Sequence, residues 1–433
     1  MSINFKKFYR ACNPSITLNY SNADDRKYYI DFTKIRSGNL IRELKRTITL
    51  SDDPTSQLFT GHLGCGKSTE LLRLKAELED HDYHVVYFVS SDELDMGDLD
   101  ITDILLVIAR KISENLIQSG IKIKAGYFKR LFGEIKHLLT NDIDISPEIE
   151  FSMGLAKITA KTKDSPKLRN KLRDYLEPRT KNILESINNE VLKVANQKLK
   201  ETGKKGLVVI VDNLDRIDNK PNASGRTQPE YIFIDRGDQL KQLNCHVVFT
   251  IPLTLIFSND SSMLNSRFGV KPKLLSMIPI LSRTGEENEQ GMYYLKQMIL
   301  ARAFPEIPSE ERNDRILEIF KEEHLMNKIC HMSGGHVRNL LGLLFSCIQK
   351  EDPPFSEEIV DEVIQEYRDD MIKKITSDEW MLLKQVVKDQ NVSGETAYHT
   401  LLRSMFVFEY QDKKGVWFGL NPLIEKSDQL NVK

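Results

Sequence analysis

The feature that most constrains this chain is the string Gly61-His62-Leu63-Gly64-Cys65-Gly66-Lys67-Ser68, set between an apolar run and a helical pattern. Glycines at these spacings let the backbone curl so that successive N–H groups aim at one point, a seat for phosphate oxygens. A helix starting at Ser68 presents its unsatisfied amides and positive dipole end to the same anion. Lys67 adds a full charge for the β- and γ-phosphates of a nucleotide, and the Ser68 hydroxyl suits Mg²⁺. The expected phosphate cradle is thus Gly61 to Ser68, extended by Thr69. Cys65 within it contributes its amide, with redox control by its thiol as the alternative.

The chain around the cradle alternates short apolar runs with helical patterns. Gln57–Thr60 enters the loop as a strand, and Leu71, Leu72, Leu74 and Leu78 follow it at close to helical spacing. Runs at 84–89, 207–211 and 246–250 read as further strands, with a helix over 101–116 between the first two. The 207–211 run is apolar throughout, as a strand covered on both faces must be. Leu275–Ile280 reads as the last strand. This alternation predicts an α/β fold, a parallel sheet sandwiched by helices.

At 433 residues the chain is too long for one core. The expected division is an N-terminal polar arm over 1–50, a core over 51–282 and a helical insertion within it at about 120–205. An all-helical lid over 283–372 and a winged-helix-like C-terminal region over 373–433 complete it. In the lid, helices are expected over 287–303, 309–320, 337–350 and 356–372. The C-terminal pattern is a helix from Ser377, another over 393–404, and a hairpin pairing 405–410 with 416–420. Between Lys157 and Lys205 stand fourteen Lys or Arg against six acids. That surplus is either a solvated set of salt-bridging faces or a docking surface for nucleic acid or an acidic partner.

A formal net charge of −2 argues against a chain built mainly to neutralise nucleic acid. Five cysteines without a CxxC pair give neither a disulfide framework nor a zinc ribbon, which suits a reducing compartment. No apolar stretch approaches the roughly 20 residues of a membrane span, and the first residues lack a signal peptide's apolar centre. The expected location is the cytoplasm.

A second chemical element is Leu207-Val208-Val209-Ile210-Val211-Asp212-Asn213-Leu214-Asp215-Arg216. An acid at the tip of a buried strand is costly unless it meets a cation, which makes Asp212 the Mg²⁺ residue alongside Ser68. Asp215 is the candidate base for the attacking water, with helix capping as its alternative. Asn213 can orient water but cannot accept its proton, so slow hydrolysis is expected.

With these two motifs placed, the chain resembles the AAA+ and STAND superclass of P-loop ATPases, nearest to initiator or origin-recognition types, over most of residues 25 to 425. The resemblance implies ATP and Mg²⁺ as ligands. It also implies roles for residues whose bland alternatives are ordinary packing or surface pairing. Thr250 takes the place of a polar sensor beside the γ-phosphate. Arg267, in Ser266-Arg267-Phe268-Gly269, takes that of an arginine finger presented to a neighbouring subunit. Arg338, in Ser333-Gly334-Gly335-His336-Val337-Arg338, takes that of a lid sensor, and Tyr28 and Tyr29 fall in the segment that contacts adenine. Asn213 departs from the glutamate usual after the strand's aspartate.

Three functions follow from this likeness: an ATPase that couples nucleotide state to self-association or partner engagement, a slowly hydrolysing signalling or defence switch, and a DNA-binding ATPase. The helix over 393–403 is poor in basic residues, which disfavours DNA and leaves protein docking through the winged helix.

Overall fold

The computed structural model describes residues 3–36, 38–123, 125–138, 150–221 and 225–431. Five strands, β1 (Ser56–Thr60), β2 (Tyr83–Val89), β3 (Gly206–Asp212), β4 (His246–Thr250) and β5 (Lys273–Leu274), form one parallel sheet in the order β2-β3-β4-β1-β5. Side chains along a strand alternate between faces, and here both faces are covered. Val208 and Ile210 meet Leu71, Leu74 and Leu78 of the helix Lys67–Glu79, together with Leu44 and Ile48 of the helix Leu40–Thr49. Leu207, Val209 and Val211 meet the helix Ile101–Gln118 on the opposite face. Every residue of β3 is buried, as its unbroken apolar run requires.

Register brings the chemistry to one edge. Phe59 pairs with Thr250, Val211 with Phe249, and Val89 with Asp212. The carboxyl ends of β1, β3 and β4 therefore lie side by side, where open parallel sheets place their ligands.

The expected strand over Leu275–Ile280 is absent; β5 stops at Leu274. Its neighbour β1 ends at Thr60, whose carbonyl takes the Leu275 N–H, and then turns into the glycine loop. With β1 no longer beside it, the chain gives its Met277 N–H to the Glu409 carbonyl of the C-terminal hairpin. The expected helix over 309–320 is only a 3₁₀ turn, Asn313–Glu318. Phe320 bridges to Phe355, with Phe355 N–H on the Ile319 carbonyl and Lys321 N–H on the Phe355 carbonyl, and such pairing needs extended backbone. The helix falls later, at Glu323–Met332, burying Leu325, Met326, Ile329 and Cys330.

The other lid helices, Glu289–Ala303, Val337–Lys350 and Glu357–Ile372, lie near their expected positions. The chain's start differs from a polar arm. A helix Phe5–Cys12, capped by Asn4, buries Phe8 and Cys12 among the lid helices, and Tyr9 stacks on Phe345 at 4.6 Å.

The insertion contributes helices Gly126–Leu138, Phe151–Asp164 and Pro166–Leu176, then a helical run from Thr180 to Glu201 with a π segment at Ile187–Leu192. Residues 139–149 of it lie outside the described residues. Phe128, Phe132, Phe151 and Ile158 join the same apolar cluster as Ile104 and Ile108 of the helix Ile101–Gln118, so the insertion is packed onto the core. Part of its positive surplus is paired with acids of the core segment after β2: Arg169 binds Asp95 at 2.7 Å and Asp98 at 3.0 Å, and Arg173 binds Asp98 at 2.7 Å.

The C-terminal region has helices Ser377–Asp389 and Thr396–Arg403 and an antiparallel hairpin, β6 (Val407–Asp412) with β7 (Gly415–Leu420). Trp380, Leu383, Leu401, Val407 and Phe418 close a small core between helices and hairpin. No helix among the described residues is long and apolar enough to cross a membrane.

Candidate functional site

The loop after β1 has its carbonyls held from outside. Lys67 Nζ donates to the carbonyls of Gly61 and His62, both at 2.7 Å. His336 Nε2 binds the Leu63 carbonyl at 2.8 Å, and Arg338 N–H the Gly64 carbonyl at 3.2 Å. Arg36 Nη2 donates to the Cys65 carbonyl at 2.9 Å. The Cys65 thiol is turned toward the Leu275 carbonyl, 3.7 Å away, and is fully buried.

With the carbonyls so committed, the amides of Leu63, Gly64, Gly66, Lys67 and Ser68 have no hydrogen-bond partner among the described residues. Gly66 caps the following helix at φ 106°, and a Cβ there would meet nothing within 4 Å. At Gly64, φ 88°, a Cβ would stand 2.8 Å from Arg338. Convergent free amides, open space at Gly66 and a helix N-terminus form a cradle that fits a phosphate chain.

A pocket at this cradle is lined by Lys67, Ser68, Thr69, Asn213, Asp215 and Arg338, with Pro14–Thr17 on one side. Lys67 Nζ also pairs with Asp215 Oδ2 at 2.9 Å, both side chains being buried. Burial opposes the lysine's charge, but Asp215, with Cys65 and Asp212 adding to it, raises the pKa above its ordinary value. Arg338, half-buried, is drawn below its ordinary value by burial and then by the guanidinium of Arg216. Neither arginine has an ion-pair partner among the described residues, so a bound anion would relieve their mutual repulsion.

Asp212 is fully buried. Tyr87 Oη donates to its Oδ2 at 2.7 Å, Asn213 N–H to its Oδ1 at 2.7 Å, and the Ser68 hydroxyl also faces it. Burial, with the charge of Asp215 adding to it, raises the Asp212 pKa, so a cation there would be well received. Ser68 and Asp212 thus fit Mg²⁺ held largely by phosphate and water. No cluster of three or more His, Cys, Asp or Glu able to cage a metal exists among the described residues.

Asn213 adopts φ 64° and donates from its amide to Ser91 Oγ at 3.2 Å. The Thr250 hydroxyl accepts from Leu214 N–H at 2.9 Å and faces the Val211 carbonyl at 3.3 Å, tying the ends of β3 and β4. Arg267 stands apart from the pocket, paired with Asp238 at 2.7 Å.

Tyr28 and Tyr29 line an adjoining pocket with Phe32, Arg36, Glu70 and Arg302, continuous with the cradle through Gly66 and Thr69. Tyr29 Oη donates to Glu70 Oε1 at 2.9 Å and accepts from Arg73 at 2.8 Å. Arg302 is buried and donates to the Tyr28 carbonyl at 3.1 Å. The sequence reading missed Arg36, Glu70, Tyr87, Arg216 and Arg302. Only Glu70 and Arg216 had a signal, standing next to motif residues; the others are brought in by tertiary packing.

The parallel order, with β1 between β4 and β5 and the glycine loop running from β1 into a helix, defines a P-loop nucleotide-binding fold. No family model and no curated protein sequence matches the chain. Among solved structures it is similar to the Cdc6p protein of Pyrobaculum aerophilum, at 12% identity over 94% of this chain and 97% of that one, with a TM-score of 0.39. It is also similar to a Walker-type ATPase of Pyrococcus abyssi, at 11% identity over 96% of this chain and 99% of that one, with a TM-score of 0.43. Likenesses this loose decide nothing about the site, which stands on its own side chains.

Proposed function

We propose that the chain is a P-loop ATPase of the AAA+ or STAND kind that binds Mg²⁺-ATP and hydrolyses it slowly, using nucleotide state to govern self-association or engagement of a protein partner. The observation that carries this reading is the loop whose outward carbonyls are all taken and whose inward amides are free. Lys67, Arg338 and Arg216 supply the charge that a triphosphate calls for, in a geometry where Lys67 leaves Asp215 to meet the γ-phosphate. The adenine and ribose lie in the adjoining pocket between Tyr28, Tyr29 and Arg302. Bound Mg²⁺ neutralises charge on the β- and γ-phosphates. Ser68 and Asp212 hold that position, and Tyr87 orients the Asp212 carboxylate.

Asp215, once released by Lys67, is the side chain placed to accept a proton from attacking water. Asn213 supplies no second carboxylate, and its amide is committed to Ser91, which favours slow turnover and a switch-like cycle. Arg267 pairs with Asp238 on its own subunit, so a role toward a neighbour requires that pair to open. The C-terminal winged-helix-like region is the proposed protein-docking module, and its helix Thr396–Arg403 offers Arg403 as its only Lys or Arg for DNA phosphates.

Single-turnover hydrolysis of γ-labelled ATP tests this. Slow phosphate release is expected from the wild type, with Asp215→Asn lowering the rate about 100-fold while ATP still binds. Undiminished hydrolysis by Asp215→Asn would remove it as the base, and absence of ATP binding by the wild type would end the reading.

A further inference from the structure

Within the glycine loop, His62 sends its side chain into the C-terminal region. Its ring is buried, at 2% exposure. Nε2 accepts the Glu409 N–H at 3.1 Å, and the ring also faces the backbone of Leu402. Glu409 lies in β6 and Leu402 in the last turn of the helix Thr396–Arg403, so one imidazole joins both halves of the C-terminal region. Phe408 fills the space between His62 and His336, its centroid 5.7 Å from each ring, edge-on to the first and stacked on the second. Tyr410 Oη adds a bond to the Gly334 carbonyl at 2.8 Å, on the lid turn that carries His336. The backbone of His62 meanwhile gives its carbonyl to Lys67. One residue thus connects the ammonium expected to meet phosphate with a hairpin more than 300 residues away in sequence.

We propose that His62 is a positioning residue for the nucleotide, and that through it the C-terminal region forms a third wall of the phosphate cradle, holding the loop in its phosphate-accepting shape. This rests on the nucleotide-binding reading and goes beyond it by assigning the C-terminal region to the pocket. A loop already held in its bound shape spends less of its binding energy on ordering. By linkage, docking of the C-terminal region and binding of nucleotide strengthen each other by the same factor. The hairpin is then the element that senses whether the cradle is filled.

Glutamine can still accept the Glu409 N–H, whereas leucine fills the space and cannot. The experiment titrates full-length His62→Leu and His62→Gln with ATP and Mg²⁺ by calorimetry, following tryptophan emission in parallel. The chain's two tryptophans, Trp380 and Trp417, both lie in the C-terminal region. His62→Leu is expected to weaken ATP binding about tenfold and to abolish the ATP-dependent change in tryptophan emission, and His62→Gln to recover most of both. Phe408→Leu tests the same contact if His62→Leu does not fold, with a loss of about threefold expected. Unchanged or tighter ATP binding by the leucine variants overturns the proposal, as does an emission change that survives them. Failure of the wild type itself to bind ATP would instead remove the nucleotide reading beneath it.

Discussion

The two ends of the pocket are built from different materials. At the proposed phosphate end the candidate groups are backbone amides of Leu63, Gly64, Gly66, Lys67 and Ser68, in a loop fixed by partners on its carbonyls. At the other end they are side chains, Tyr29, Glu70, Arg36 and Arg302, brought together from the chain's first forty residues, the loop helix and the lid. Backbone recognition constrains sequence tightly, because only glycine accepts φ near 88° and 106° without strain. Side-chain recognition can be met by many combinations of residues, provided the fold brings them together.

The largest expected effect separates the ends chemically. Lys67→Ala removes a charge from the phosphate end and leaves Asp215 buried without its partner. ATP and inorganic tripolyphosphate are both expected to bind about 100-fold more weakly, with adenosine unaffected. Calorimetric titration with the three ligands checks this. Equal losses for adenosine and tripolyphosphate would mean that the two ends act as one.

Legibility followed the same division. The glycine loop and Asp212 stood out in the sequence because a glycine spacing and an acid at the tip of an apolar strand are each costly without a physical use. The strands were readable where they are central: β3 and β4 lie where their apolar runs put them. At the edges the outcome split: β2 covers Tyr83–Val89, close to the expected 84–89, whereas β5 stops at Leu274. Leu275–Ile280 has a strand's composition, but its neighbour ends at Thr60, and a strand needs a partner. The helix Phe5–Cys12 was hidden because eight residues with two buried positions, Phe8 and Cys12, give too short a period to read. The adjoining pocket was half-legible: Tyr28 and Tyr29 were picked out through a family likeness, while Arg36 and Arg302 carry no local pattern. Placing the hairpin against His62 required the whole fold.

A smaller effect is expected at the side-chain end. Tyr29→Phe deletes the hydroxyl that donates to Glu70 and accepts from Arg73. Loss of such a hydrogen bond in a half-buried network costs about 1 kcal/mol. Affinity for ATP and adenosine should each fall about fivefold, with tripolyphosphate unchanged, the reverse of the lysine variant's pattern. A fall in tripolyphosphate binding would place Tyr29 within reach of the phosphates and break the comparison.

The smallest expected effect concerns the hairpin against which the phosphate end rests. Glu409 is fully buried in β6, and burial raises its carboxyl pKa to about 8, the Ser276 hydroxyl and the charge of Arg36 offsetting only part of this. The ordinary value is 4.5. Below that pH both folded and unfolded chains carry the proton, and Glu409 contributes no pH dependence. Between 4.5 and about 8 the unfolded chain releases a proton that the folded chain keeps, so stability falls as pH rises, and above about 8 the penalty is complete. Glutamine resembles the protonated carboxyl in shape and has no proton to lose. Glu409→Gln should therefore leave Tm nearly unchanged at pH 5 and raise it by about 3 °C at pH 8, read by differential scanning calorimetry. A gain of equal size at both values would mean that the carboxyl is already ionised at pH 5. In that case the hairpin holds a buried charge, and the wall it gives the cradle does not loosen as pH rises.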